Sequence, residues 1–373
     1  MNFTISKNEL LNALQDTAHA ISPNSPQPSL RGIKIDAYSD SLVLTGSDAD
    51  ISIRRLVEKD DKNNLNVIET GAILIESRYL LEIVRKIDSE EIQIEVIDGA
   101  LTKFSGGSAV FKINGMRADD YPDIDFTKPS ASVNLTAAQL SSIIEQTAFA
   151  ASSKDTRPVL TGVNFRLENG VLNCTATDSY RLAKKKISID STDSFNLTIP
   201  AKSLNEVRNT MLQDLNAEIE ISLSDRKVQF TNESMTLQSR LLDGGYPETD
   251  RLIPKEFNYE LSLSRNDLIH AIDRTTFIKN DNMTINRLSM SEHEVILSNR
   301  SQEIGESTEH LAGVYTGEPL DISFAGNYVL SAAKALRGNN IKIRFTAEMK
   351  PFILTGDDDD SVLQLVLPVR TYN

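Results

Sequence analysis

The chain has 373 residues and a net charge of −14, from 39 Lys and Arg residues against 53 Asp and Glu residues. This length predicts two or three domains. A hydrophobic content of 40% and a charged content of 25% are typical of a soluble globular chain and exclude a disordered or collagen-like protein. The acidic balance also argues against a protein that coats nucleic acid through its bulk charge, although it is compatible with one local basic surface.

The features that direct a protein to a membrane or out of the cell are missing from the sequence. Residues 1–7 show no basic stretch followed by an apolar stretch, so no secretory signal is predicted. No apolar run approaches the roughly 20 residues that span a bilayer. Cys174 is the single cysteine and cannot form an intramolecular disulfide. The sequence therefore predicts a cytoplasmic protein.

An internal repeat organises the chain, because residues 5–14, 135–144 and 263–272 align without gaps. Each segment has a Ser or Thr followed three residues later by Glu, Gln or Asp, which is typical of a helix N-terminus. The pairs are Ser6 with Glu9, Thr136 with Gln139, and Ser264 with Asp267. Apolar residues four positions apart follow in each copy, and they predict one buried helix face. The predicted first helices span 6–22, 136–154 and 264–279.

Each predicted first helix is followed by two strands and then by a second helix. Alternating apolar residues predict the strands within 32–44, 162–174 and 287–297. The second helices are predicted over 77–88, 201–213 and 327–337, and two or three further strands complete each repeat. The first two repeats also end alike, with Asp120-Tyr121-Pro122 and Gly245-Tyr246-Pro247.

The repeats predict an α+β protein of three tandem similar domains, each with two helices and antiparallel sheets. Boundaries fall in the polar, Pro-containing segments around Pro129 and Pro254. The predicted domains are residues 1–128, 129–255 and 256–373. Strands at the edges of such domains can pair across their borders, so the array ends in protected edges or closes through oligomer symmetry.

Nothing in the sequence predicts an active site. Cys174 lies at an inward position of a strand and is interpreted as a core residue. The four His residues have no metal-ligand spacing, and His19 and His270 are interpreted as solvated helix residues. The acidic run 357–360 is interpreted as a charged hairpin tip, because it lacks the spacing of a calcium loop. Phosphate-binding glycine motifs and a nucleophile elbow are also missing, so no catalytic residue, metal or cofactor is predicted.

Charge is distributed unevenly between the predicted helices and the rest of the chain. The six helices together carry +4, which leaves −18 elsewhere. Acidic loops that promote solubility explain this as well as a helical surface facing a polyanion does. On the second hypothesis the cations that face the polyanion are Arg78, Arg85, Lys154, Lys202, Arg208, Arg274, Lys334 and Arg337. The C-terminus is also unusual, because Pro368 cannot donate to a sheet ladder and the residues after it are expected to leave the sheet.

Several of these segments together resemble one family. They are residues 156–162, 175–182 and 239–242, the Tyr246-Pro247 pair and the terminal residues 367–370. These segments resemble the beta subunits of bacterial DNA polymerase III, the sliding clamps, and the resemblance extends over the whole length of the chain. The resemblance implies a homodimeric ring of six similar domains around duplex DNA, closed head to tail, with helices inside and sheets outside. It implies no enzyme activity; the expected partners are the replicative polymerase, an ATP-dependent clamp loader and other proteins with clamp-binding motifs.

The resemblance also implies two sets of site residues. A pocket for short peptides would be formed by Leu160, Thr177, Ser179, Tyr180, Arg181, Leu182, Pro247, Arg251, Leu252, Val366, Leu367, Pro368, Val369 and Arg370. Its apolar floor would be Leu160, Leu182, Leu252, Leu367 and Val369, with Arg181 and Arg370 at the rim to meet polar groups of the bound motif. The dimer interface would include Phe111, Ile113, Phe277 and Ile278.

The sequence departs from the family pattern in three places. Ser179-Tyr180 stands where many members have Gly-His, residues 23–26 lack a basic residue that some members carry, and residues 371–373 extend past the usual end. Two alternative functions are a repeat-domain enzyme such as a nucleotide hydrolase, which would show turnover by the purified chain, and a non-DNA scaffold of three similar domains, which would show no salt-sensitive association with circular DNA. A mass near twice 41.3 kDa in solution would favour the ring.

Overall fold

A computed structural model describes residues 1–279, 283–357 and 359–370. The described chain contains six α-helices and 26 strands. The helices are Lys7–Ala18 (α1), Ser77–Lys86 (α2), Ala137–Thr147 (α3), Ala201–Met211 (α4), Arg265–Thr275 (α5) and Gly326–Ala335 (α6). Helices and antiparallel strands thus alternate along the chain in the order that the repeat predicts, which confirms the α+β class.

The strands are numbered in chain order. The first nine are Asn2–Ser6 (β1), Gly32–Ala37 (β2), Ser41–Ser47 (β3), Ile51–Glu58 (β4), Asn66–Glu69 (β5), Gly71–Glu76 (β6), Glu91–Asp98 (β7), Leu101–Gly106 (β8) and Ala109–Asn114 (β9). The next eight are Ala131–Thr136 (β10), Gly162–Glu168 (β11), Val171–Thr177 (β12), Arg181–Ser188 (β13), Phe195–Pro200 (β14), Glu218–Leu223 (β15), Lys227–Thr231 (β16) and Met235–Arg240 (β17). The last nine are Tyr259–Ser264 (β18), Ile285–Met290 (β19), Val295–Ser301 (β20), Gly305–His310 (β21), Gly313–Thr316 (β22), Leu320–Ala325 (β23), Asn340–Phe345 (β24), Phe352–Gly356 (β25) and Val362–Val366 (β26).

The first compact unit consists of Met1–Ala138 together with Ser203–Leu241. It holds a five-stranded sheet in the order β5-β1-β7-β8-β9 and an eight-stranded sheet in the order β10-β15-β16-β17-β4-β3-β2-β6. Its core gathers the inward residues of β1, β2 and β7 and the apolar faces of α1 and α2. Strands of the first repeat pair with strands of the middle repeat through β4 and β17, where Ile53 lies opposite Leu237.

The second unit consists of Gln139–Lys202 together with the chain from Leu242 onward. It holds a nine-stranded sheet in the order β14-β11-β12-β13-β26-β25-β24-β18-β22 and a four-stranded sheet in the order β21-β20-β19-β23. Here the middle repeat pairs with the last one through β13 and β26, where Leu182 lies opposite Leu365. The middle repeat therefore contributes strands to both units, and the division at residues 128/129 and 255/256 stays a prediction.

The first helices of the three repeats bury the same positions. In α1 these are Leu10, Ala13, Leu14 and Thr17, in α3 Leu140, Ile143, Ile144 and Thr147, and in α5 Leu268, Ala271, Ile272 and Thr275. This i, i+3, i+4, i+7 spacing forms one face of an α-helix. The Thr hydroxyl in each set donates to a backbone carbonyl one turn earlier, at 2.7, 2.6 and 2.7 Å. The predicted apolar stripe is confirmed in all three copies.

The predicted first helices are too long at their C-terminal ends. After Ala18 the chain continues with i→i−3 bonds such as Ile21 N–H to Ala18 O, at 3.0 Å, and after Thr147 residues Ala148–Ala150 form a 3₁₀ turn. Tightened last turns of this kind are common where a helix stops. Lys154 therefore lies beyond a helix. The predicted side-chain cap is observed at Ser264, whose Oγ accepts from Asp267 N–H at 3.3 Å, and is wrong for Ser6, whose side chain makes no such bond.

Each second helix also ends two residues earlier than predicted, and the shorter first and second helices together change the charge argument. Lys154, Lys279 and Arg337 lie beyond the observed helix ends, as does Asp88, so the net charge of the helices falls from +4 to +2. The contrast with the acidic remainder of the chain is weaker than the sequence indicated.

Candidate functional site

The hairpin between β12 and β13 forms a tight, fully hydrogen-bonded turn. Asp178 Oδ1 accepts from the N–H groups of Tyr180 and Arg181, at 2.9 and 3.0 Å. Thr177 Oγ1 donates to Arg181 O at 2.6 Å and accepts from Ser179 N–H at 3.1 Å. Ser179 adopts a φ of +78°, a value that favours glycine. The turn fixes the direction in which Tyr180 projects, and the Tyr180 side chain is 61% exposed.

Arg181 is held on every side rather than standing free at a rim. Its Nε lies 3.0 Å from Asp178 Oδ2, and its Nη2 donates to Phe149 O at 2.6 Å. The guanidinium lies 4.7 Å from the centre of the Tyr328 ring and 5.3 Å from that of Phe149. A cation that is already paired, hydrogen-bonded and stacked has little left to offer a ligand carboxylate. We interpret Arg181 as a support for the hairpin, which differs from its expected role.

The C-terminal segment runs beside this hairpin after leaving the sheet. β26 ends at Val366, and Leu367 N–H then donates to Tyr180 O at 2.9 Å. Pro368 has no N–H to donate. Val369 N–H donates to Ser323 O at 2.7 Å, which fixes the segment along a second element. The expectation that residues after Pro368 leave the sheet is confirmed, and the strand already ends at Val366, two residues before Pro368.

The residues expected to form a peptide pocket fall into two groups by exposure. Leu160, Thr177, Leu182 and Val366 are buried, so they support the surface without forming it. Tyr180 at 61% and Leu252 at 54% are strongly exposed apolar side chains, and residues 367–369 are half-buried. The accessible apolar surface therefore comes from the hairpin tip, from Leu252 and from the C-terminal segment.

The segment that carries Pro247, Arg251 and Leu252 is anchored to the same sheet. Lys184, on β13, donates to Asp250 Oδ1 at 2.5 Å, and residues 250–252 form a 3₁₀ turn. Leu367 packs with Leu182 against a small apolar cluster that includes Leu365. All of the expected pocket residues thus lie in the second unit, on β12, β13, β26 and the segments attached to them.

Tyr328 was missed by the sequence reasoning. It lies on α6, is half-buried, and its ring faces the Arg181 guanidinium. Burial raises the pKa of the Tyr328 hydroxyl, and Arg181 partly opposes this effect. A single tyrosine within the helix sequence Asn327-Tyr328-Val329 carries no pattern that identifies it. Its contact with residue 181, 147 positions earlier, exists only in the folded chain.

The cations expected to face DNA differ in what they already bind. Arg78 lies 3.6 Å from Glu76 and over the Tyr79 ring, and Arg337 lies 3.7 Å from Glu145. Arg85 lies 3.9 Å from Glu82. Arg274 forms two hydrogen bonds with Glu309, at 2.8 and 2.5 Å. The remaining four are exposed: Lys154, Lys202, Arg208 and Lys334.

The expected interface residues are not equally accessible. Phe111, on β9, is 37% exposed and Phe277, after α5, is 67% exposed. Ile113 is half-buried and packs against the core of the first unit. Ile278 is only 3% exposed, so the single chain already buries it and leaves it almost no surface for a partner. Of the two adjacent residues Phe277 and Ile278, only Phe277 is therefore exposed.

The other residues singled out by the sequence have structural surroundings. Cys174 is fully buried on β12, and burial raises the pKa of its thiol well above the usual value. His19 and His270 are exposed, as expected of solvated residues, and His19 Nδ1 also lies 2.7 Å from Glu206 Oε2. The acidic run 357–360 follows β25, with Asp358 outside the described residues. Within the described residues, no group of three or more His, Cys, Asp or Glu side chains is placed to hold a metal ion.

Three family descriptions match the chain in sequence order. The N-terminal, central and C-terminal domains of the DNA polymerase III beta subunit match residues 1–125, 134–248 and 250–370. The chain belongs to the DNA polymerase III beta subunit family. Members of this family are processivity factors without enzymatic activity, and the chain shares that role.

Relatives in this family cover the chain from end to end. The beta sliding clamp of Bacillus subtilis is 38% identical over 379 residues, and that of Staphylococcus epidermidis is 38% identical over 377 residues, with 100% of both chains covered in each case. The crystal structure of the Bacillus subtilis sliding clamp has a TM-score of 0.95 at 37% identity, and that of the Streptococcus pyogenes beta subunit 0.94 at 32%, again over 100% of both chains. The chain thus has the three-domain fold of the beta sliding clamps. Among the described helices, none is long and apolar enough to cross a bilayer.

Proposed function

We propose that two copies of this chain close head to tail into a ring that encircles duplex DNA and carries DNA polymerase III along it. Membership of the beta sliding clamp family is the observation that carries this proposal. Each copy would contribute three repeats, with domains at residues 1–128, 129–255 and 256–373. The three family matches, which begin and end near these limits, support this division.

Two sheet edges in the chain are suited to join one copy to the next. β9 is the last strand of the five-stranded sheet, and β21 is the last strand of the four-stranded sheet. An uncovered edge strand presents unpaired N–H and C=O groups to any other strand. If β9 of each copy paired with β21 of the other, two equivalent seams would close the dimer, as closed symmetry requires.

The side chains on these two edges are complementary. β9 exposes Val110, Phe111 and Lys112, while β21 exposes Glu306 and His310. An apolar edge with one cation facing an acidic edge favours pairing between the two over pairing of either edge with itself. Phe277 is 67% exposed, and the next residue, Ile278, accepts through its carbonyl from Asn299 on β20, the strand beside β21. We assign Phe111, Ile113 and Phe277 to the seam, and Ile278 to the core that supports it.

Partner proteins would dock on the apolar surface formed by Tyr180, Leu252 and residues 367–369. Shallow apolar surfaces with a few fixed polar groups suit short linear peptides. The replicative polymerase, an ATP-dependent clamp loader and other proteins with clamp-binding motifs are the proposed users of this surface. The cytoplasm is the proposed location, in keeping with a single cysteine that is buried.

DNA would be held by enclosure, because many of the candidate cations already have carboxylate partners. Direct contacts between protein cations and phosphates give an affinity that falls steeply with salt. Four of the eight expected DNA-facing cations already lie within 4 Å of a Glu carboxylate. A ring in which half of the candidate cations are paired with carboxylates is expected to bind linear DNA weakly and to stay on a closed circle.

Retention on circular DNA tests this proposal. The protein is loaded onto nicked circular DNA by a clamp loader, the salt concentration is raised, and the circle is then cut once. Enclosure predicts that the protein survives the salt step and is lost from the new ends after cutting. Release from the uncut circle, at a salt concentration where sedimentation still shows a mass near twice 41.3 kDa, would contradict the proposal.

A further inference from the structure

Arg274 and Glu309 form the best-aligned ion pair among the candidate DNA-facing cations. Arg274 Nε and Nη2 donate to the two carboxylate oxygens of Glu309 at 2.8 and 2.5 Å. The pair joins α5 to β21, across 35 positions of sequence. Each partner stabilises the charged form of the other, so the pKa of the Glu309 carboxyl lies below its usual value and that of Arg274 above it. A bidentate pair of this kind is directional as well as strong.

Glu309 occupies an unusual place, because it is a carboxylate on the inner face of an edge strand. Along β21 the side chains of Ser307 and Glu309 are half-buried, whereas those of Glu306, Thr308 and His310 are exposed. Inward-pointing charges on an edge strand discourage pairing with other strands, since covering them leaves a charge without water. Arg274 supplies the compensating charge from behind the strand.

We propose that Arg274 is a positioning residue for the seam of the ring, which neutralises and orients Glu309 so that β9 of a second copy can cover β21, and that it does not contact DNA. This inference rests on the proposed head-to-tail dimer. It reassigns a residue that the sequence placed among the DNA-facing cations.

The second copy fits this role through the inner face of its own edge strand. On β9 the inner positions are Ala109, Phe111 and Ile113, and two of them, Ala109 and Ile113, pack against the core of the first unit. When the two inner faces become continuous, the Phe111 ring lies on the side from which Glu309 would be shielded from water. The attraction within an ion pair increases as solvent is removed and offsets part of the desolvation cost, whereas an uncompensated carboxylate bears the full cost of burial. Covering by this apolar strand therefore depends on Arg274.

The test compares single, swapped and control variants of the full-length protein. The single variants are Arg274→Gln and Glu309→Gln, and the swapped variant is Arg274→Glu with Glu309→Arg. Arg287 and Asp321 provide a matched control, because they form an exposed ion pair at 2.9 Å between β19 and β23 of the same sheet, away from β21. For each protein, sedimentation over a dilution series gives the dimer dissociation constant, and fluorescence anisotropy on a linear duplex gives DNA affinity at several salt concentrations.

We expect each single variant to raise the dimer dissociation constant about tenfold or more, because each leaves one member of the pair uncompensated at both seams. The swapped variant is expected to recover most of this loss, and Arg287→Gln is expected to leave the dimer unchanged. The measured dimer dissociation constant gives the fraction of each variant that is monomeric. Once DNA affinity is corrected for that fraction, the affinity and its salt dependence are expected to equal the wild-type values. Thermal unfolding identifies any variant that is not folded, and Glu309→Gln, which retains the shape of the side chain, then serves for the comparison.

A direct contact between Arg274 and DNA predicts different changes in DNA affinity. If Arg274 contacts phosphate, Arg274→Gln lowers the slope of log affinity against log salt by about one, and Glu309→Gln strengthens DNA binding by freeing the guanidinium. Either of these results with an unchanged dimer overturns the inference, as does a pair of folded single variants with wild-type dimer and DNA affinities. If the wild-type chain stays monomeric at every concentration, the proposed dimeric ring itself is contradicted.

Discussion

At the scale of single residues, the two hairpins that are equivalent in the first and second repeats share a strained position. Ser179 has a φ of +78° and Ala49 has a φ of +79°. Each follows an Asp whose Oδ1 accepts two backbone N–H groups, Asp178 in one turn and Asp48 in the other. A side chain with a Cβ pays about 1–2 kcal/mol to adopt this conformation. The repeat is thus preserved down to single hydrogen bonds, including the place where glycine would fit better.

The first prediction concerns this strain. Ser179→Gly is expected to raise the free energy of unfolding by about 0.5–1 kcal/mol, because the relief of the left-handed conformation exceeds the larger chain entropy of glycine in the unfolded state. Urea denaturation followed by circular dichroism measures the change. Ser188→Gly, at an exposed strand position on β13, is the control and is expected to lower the free energy of unfolding. Equal losses in both variants would show that Ser179 is not strained.

At the scale of elements, the two edge strands β9 and β21 carry the argument for assembly. They end separate sheets, of five and four strands, and their exposed side chains differ in character. β9 is apolar with one lysine, and β21 is acidic on both faces, with Glu306 outside and Glu309 inside. This asymmetry favours joining unlike edges, which in a dimer creates two seams at once. A substitution that weakens one seam therefore weakens both seams, and its effect on the stability of the ring is doubled.

A second prediction follows for the seam. Phe111→Ala combined with Phe277→Ala is expected to give monomers, because a Phe side chain that is buried contributes about 3–5 kcal/mol and both seams lose it. Analytical ultracentrifugation measures the mass. Tyr38→Ala is the control, since Tyr38 is a similarly exposed aromatic residue, at 53%, that lies on neither edge strand. A variant that remains dimeric at wild-type concentrations would place the interface elsewhere.

At the scale of the whole molecule, the proposed docking function combines segments that are far apart in sequence. The proposed docking surface combines the hairpin tip at Tyr180, the turn at Leu252 and the C-terminal segment 367–369. Two hydrogen bonds, from Leu367 to Tyr180 and from Val369 to Ser323, fix that segment. Residues 367–369 are thus held in place as part of the proposed site.

The third prediction tests this role of the C-terminal segment. A chain that ends after Val366 is expected to lose the binding of a Gln- and Leu-rich peptide from a polymerase partner, because the half-buried apolar residues of the surface are removed. Isothermal titration calorimetry measures the binding, and sedimentation is expected to show an intact dimer. The control chain ends after Arg370 and is expected to bind as the full chain does. Equal binding by both shortened chains would move the docking surface away from residues 367–370.

The sequence by itself determined the threefold repeat, the α+β class and the buried face of each first helix. These features are local, since Leu10, Leu14 and Thr17 fall on one side of any α-helix that forms there. Cys174 was also identified as a core residue from the alternation of its strand. The resemblance to the sliding clamps extended this to the family, because several motifs lie in order along the whole chain.

Only the tertiary structure decided where the helices stop and which charged groups are free. Helix ends depend on bonds such as that of Ile21 to Ala18, which compete with continued α-helix by small energies that the sequence pattern does not reveal. Arg181 and Arg274 read as available cations in the sequence, yet Asp178 with two aromatic rings engages one and Glu309 engages the other. Periodicity specifies which side of an element is buried, but the partner of a long side chain is set by folding, because it lies on an element brought near from elsewhere in the chain.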